Sequence, residues 1–117
     1  MLLSRRKSEI KHLVEPVKLI GAFKSSETKE DNGYWVCYEV RNFEDVPEGM
    51  VRLFTPAQMY AVLHYEGHAS KIHQVYSHLH QWIEENGYNR LREKWSLEIY
   101  SKWTENEDNV KLCDPVD

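Results

Sequence analysis

Glu98 is the residue best placed to do chemistry. It sits within Trp95-Ser96-Leu97-Glu98-Ile99-Tyr100-Ser101-Lys102-Trp103, an apolar and aromatic segment that reads as a strand. Carboxylates are depleted from strands, and an unpaired buried charge is costly. Glu98 is therefore expected either on the wet side of a half-covered sheet or opposite a cationic partner. Alternation puts Glu98 and Tyr100 on one face, Leu97 and Ile99 on the other. The apolar set, together with Trp95, is expected under a helix, which leaves Glu98 and Tyr100 as the floor of a pocket. A carboxylate among aromatic rings suits a lipophilic cation, offering counter-charge, ring faces and apolar area together.

Candidate rings around it are Tyr38, Tyr60, Tyr76, Trp82, Tyr100 and Trp103. Tyr60 and Tyr100 fall on strand faces away from the expected helix side. Tyr76 and Trp82 lie on the apolar stripe of a helix, a spacing that more often marks core than ligand box. Trp35 shares its face with Glu39 and reads equally as core or pocket wall. The six histidines do not show the tight, convergent spacing of a zinc site, and no metal or other cofactor is expected. No serine or cysteine nucleophile has a histidine placed beside it, and no glycine-rich phosphate loop occurs. One catalytic option stays open: an apolar environment that raises the Glu98 pKa would make it a general base for water.

The elements that must position these groups follow from periodicity. Residues 2–14 carry apolar side chains at roughly helical spacing, stopped by Pro16. Residues 18–24 read as a strand, 25–33 as a hairpin turn ending in Asn32-Gly33, and 34–40 as the returning strand. A loop with Pro47 and Gly49 follows, then a short extended piece at 51–54 and a strictly alternating strand at 57–65, ended by Gly67. From Ser70, a plausible N-cap, a helix carries Ile72, Val75, Tyr76, Leu79, Trp82 and Ile83 on one stripe, with Gly87 as its C′ residue. Strands at 94–103 and 109–113 close the pattern, giving an α+β antiparallel sheet with helices on one face.

The chain has 117 residues, 41% hydrophobic and 29% charged, the size and composition of one globular domain. A net charge of −4 argues against nucleic acid, and no apolar run approaches membrane-spanning length. Two cysteines without an export signal read as reduced thiols in a cytoplasmic protein. Four tryptophans and seven tyrosines stand out, because such side chains are common where a protein holds something.

Several linked motifs resemble one family. The runs Asp45-Val46-Pro47-Glu48-Gly49-Met50 and Thr55-Pro56-Ala57-Gln58-Met59-Tyr60-Ala61-Val62, then Tyr65-Glu66-Gly67, Tyr76 with Trp82, Asn86-Gly87-Tyr88 and Leu97-Glu98-Ile99-Tyr100, resemble the GyrI-like effector-binding domain. That domain occurs in AraC-type and multidrug-responsive bacterial transcription regulators and as a stand-alone protein. The resemblance implies tandem β-α-β-β units flanking a ligand pocket, with the matching glutamate in that pocket meeting cationic ligands. It implies a partial first unit at 11–56, lacking its opening strand and most of its helix, and a complete second unit at 57–116. The sheet edge so exposed is expected to pair with a second copy as a homodimer. The implied function is non-enzymatic binding of hydrophobic or cationic small molecules, without direct contact to nucleic acid or membrane. A gyrase-inhibitor-type protein-interaction role and hydrolysis of electrophilic small molecules through Glu98 are the alternatives.

Overall fold

Alternating apolar residues build five strands, described here from a computed structural model that covers residues 2–26, 33–103 and 107–117. They are β1 (Leu19–Lys24), β2 (Trp35–Tyr38), β3 (Tyr60–His68), β4 (Trp95–Trp103) and β5 (Glu107–Pro115). All neighbours are antiparallel, in the order β2-β1-β4-β5-β3. The expected turn between β1 and β2 falls largely at 27–32, outside the described residues. Residues 51–54 form no strand, and Gly67 does not end β3, which runs on to His68.

A short helix α1 (Leu2–Arg5) and a 3-10 turn open the chain, and the long helix α2 (Ile72–Glu85) joins β3 to β4. Its cap lies earlier than the sequence suggests. The His68 ring accepts the Ser70 N–H at 3.1 Å, and a 3-10 turn then leads into the helix. At the other end Gly87, at φ 75°, closes a Schellman motif: Gly87 N–H donates to the Glu84 carbonyl and Tyr88 N–H to that of Ile83, both at 3.1 Å. Leu79 and Ile83 of α2 are buried against Ala61 of β3, Tyr100 of β4, and Val110 and Leu112 of β5. None of the described helices is long and apolar enough to cross a membrane.

The two faces of β4 are the reverse of the expected assignment. Tyr100 belongs to the core under α2, and Tyr76 of α2 touches Glu98, so Glu98 and Tyr100 face the helix. Leu97 and Ile99 point to the opposite face, where residues between β2 and β3 cover them. Alternation separates two faces but does not say which the helix takes. The usual shortcut, apolar side under helix, fails because both faces of this sheet are covered.

Candidate functional site

Glu98 is 6% exposed and accepts three phenolic hydrogen bonds. Tyr34 donates to Oε1 at 2.6 Å, Tyr100 to Oε1 at 3.0 Å, and Tyr76 to Oε2 at 2.5 Å. The three donors come from the start of β2, from β4 itself and from α2. Their joint placement depends on Gly21, the cross-strand partner of Glu98 on β1. A Cβ at Gly21 would lie 1.7 Å from the Tyr34 hydroxyl, so only glycine lets that ring pass over β1 to the acid. Phe23, two residues on, packs beside both Tyr34 and Tyr76, with ring centroids 6.1 and 6.3 Å away.

Among the described residues no lysine, arginine or histidine forms an ion pair with Glu98. Its partners among the described residues are three neutral phenols. Burial and the adjacent carboxylate push Tyr34, Tyr76 and Tyr100 well above the usual phenol range, since each would have to ionise beside an anion. The three phenols form a lid of aromatic edges over the Glu98 carboxyl group.

Trp103 joins the cluster through an irregularity. Strict alternation would send Trp103 and Tyr100 to opposite faces. A register shift between Tyr100 and Lys102 returns them to the same one, where the rings stack at 4.4 Å and 26°. Trp103 is 40% exposed, so this stack leads from the buried acid toward solvent. Tyr38 lies on the helix-side face of β2, paired with Leu19, which in turn pairs with Tyr100.

The remaining candidates are placed elsewhere. Tyr60 lies on the opposite face from Glu98, lining a small hollow of about 130 Å³ with Lys24, Lys94 and Trp95. Trp82 is 48% exposed and stacks on Tyr88 at 5.8 Å. That is the apolar contact a Schellman motif favours, so Trp82 closes the helix end rather than joining the core stripe. The histidines are dispersed: His64 meets Asn109, His68 meets Ser70, and His80 lies 3.0 Å from the buried Asp114. Asp114 also accepts a 3.0 Å bond from Arg90, and burial together with that cation lowers the His80 pKa.

Sequence reasoning missed Tyr34, Gly21 and Phe23. Tyr34 shares a face with Val36 and Tyr38, which was readable. That this face meets Glu98 needed the β1–β4 register, which no local pattern carries.

An antiparallel sheet with one helix laid across half of it, and a phenol-capped acid at their junction, defines a small α+β binding domain. The sequence matches the GyrI-like small molecule binding domain over residues 2–116, and the chain belongs to that family. Neither a curated protein sequence nor a solved structure matches the chain significantly.

Proposed function

We propose that this domain binds hydrophobic cations, with Glu98 as counter-charge and Tyr34, Tyr76, Tyr100 and Trp103 as ring partners. The observation that carries this reading is a buried carboxylate whose described partners are all neutral phenols. A ligand cation that displaces one phenol gains the charge, and each ring contact adds about 0.5–2 kcal/mol. Tyr34 is the phenol most able to leave, being 45% exposed and placed just before an edge strand.

Both Glu98 oxygens accept hydrogen bonds, which favours holding a cation over activating water as a general base. Burial of Glu98 also weighs against a purely surface protein-interaction role, for which the acid would face solvent. The order β3-α2-β4-β5 is one β-α-β-β unit, and β1 with β2 reads as part of a second. On that reading the outer edge of β2 pairs with a second copy.

Binding of tetraphenylphosphonium, compared with the neutral triphenylphosphine oxide, tests the role of charge. The cation is expected to bind at least ~10-fold tighter, a difference of about 1.4 kcal/mol. Equal affinities would remove the counter-charge from the account.

A further inference from the structure

The face of the sheet turned away from α2 holds a separate cavity of about 540 Å³. Its floor includes Ile20 of β1, Cys37 of β2, and Leu97 and Ile99 of β4. Phe43 and Met50 contribute to its other wall, from residues 39–59, a 21-residue connection between Tyr38 and Tyr60 with no helix or strand. Connections that long without regular structure are uncommon in compact domains and usually serve binding or gating. This one is held in place, because Arg6 donates to the Glu48 carbonyl at 2.8 Å.

We propose that this cavity is a second small-molecule site, which takes an uncharged, flat apolar compound. Size supports it: ligand pockets run from about 300 to 1,000 Å³, and a dry cavity of about 150 Å³ already holds benzene. Roughly two or three fused rings would fit the volume on that scale. Chemistry narrows the occupant further. The strand residues that form the floor offer aliphatic side chains, the Trp35 indole and one thiol, with no charged group to anchor a polar head. Glu39, Glu44 and Asp45 outnumber Lys11 among the charged residues lining the cavity, which disfavours organic acids. The sheet separates this site from Glu98, since Leu97 and Ile99 alternate with it along β4 and face the other way.

Cys37 provides a reporter on the floor itself. Its thiol is half-buried and shifted upward by burial, so alkylation with iodoacetamide is followed at alkaline pH by peptide mass. The probe is N-phenyl-1-naphthylamine, an uncharged dye that brightens in apolar surroundings. Saturable binding is expected, with Cys37 alkylation slowed at least fivefold at saturation. Ile20→Trp, which fills the floor, is expected to weaken the dye at least tenfold while far-UV circular dichroism stays unchanged. 1-Naphthoate, an acid of similar shape, is expected to bind at least tenfold more weakly than the dye. If Ile20→Trp fails to fold, protection of Cys37 in the wild-type chain still decides the matter. No saturable binding, an unchanged Cys37 rate under saturating dye, full affinity in a folded Ile20→Trp protein, or equal affinity for 1-naphthoate would each overturn the proposal.

Discussion

The three phenols on Glu98 tie stability to alkaline pH. Tyr76 and Tyr100 keep their protons in the folded state to higher pH than in the unfolded chain. Their contribution is complete below the unfolded phenol value of about 10 and is lost as pH rises through the higher folded values. Unfolding free energies from urea melts across that range should fall above about pH 10, by up to about 1.4 kcal/mol per pH unit for each such tyrosine. Tyr76→Phe should flatten the slope by one proton; an unchanged slope would show that Tyr76 does not hold its proton against Glu98. Gly21→Ala should cost about 1–3 kcal/mol by urea melt, because the added methyl and the Tyr34 hydroxyl cannot share the space. In a Tyr34→Ala background the penalty should shrink, since the ring it strikes, 2.2 Å away even at the Tyr34 Cζ, is gone. That Glu98 would have an unusual environment was legible from residue type alone, a carboxylate in an aromatic strand. That tyrosines would serve it in place of a cation was not, because two of the three donors arrive from elements far away in sequence.

At the scale of elements, α2 was the most readable part, since a 14-residue helix with one apolar stripe leaves little ambiguity. Its ends were less so. The N-terminal cap uses a histidine ring, a residue outside the usual capping set, while Gly87 behaves as its position suggests. Trp82 shows why a stripe read from spacing overreaches: at the edge of the stripe it stays half exposed and stacks on Tyr88. Trp82→Ala should therefore cost about 0.5–1.5 kcal/mol in a thermal or urea melt and leave cation affinity within about twofold. A larger loss of affinity would return Trp82 to the binding site. The register shift in β4 was illegible for a different reason. Ser101 and Lys102 look like any strand residues, and only the pairing with β5 reveals that one of them is extra.

For the whole molecule, the α+β class and the antiparallel sheet followed from the order of periodic segments, but the layer arrangement did not. Sequence patterns predicted one covered face and one open face. In the folded chain α2 covers one side, and residues 39–59 with the N-terminal segment lie on the other. The edge position of β2 in the order of the described strands carries the expectation of a homodimer. Multi-angle light scattering should report a dimer in the micromolar range, and a monomer at high micromolar concentration would count against it.

The most direct measurement is the affinity of tetraphenylphosphonium for the wild-type protein and for Glu98→Gln, read by tryptophan fluorescence and checked by calorimetry. Removing the charge while keeping the side-chain shape should weaken binding at least ~10-fold, about 1.4 kcal/mol, with the fold intact by circular dichroism. Equal binding to both proteins, or saturable binding to neither, would contradict the role assigned to Glu98.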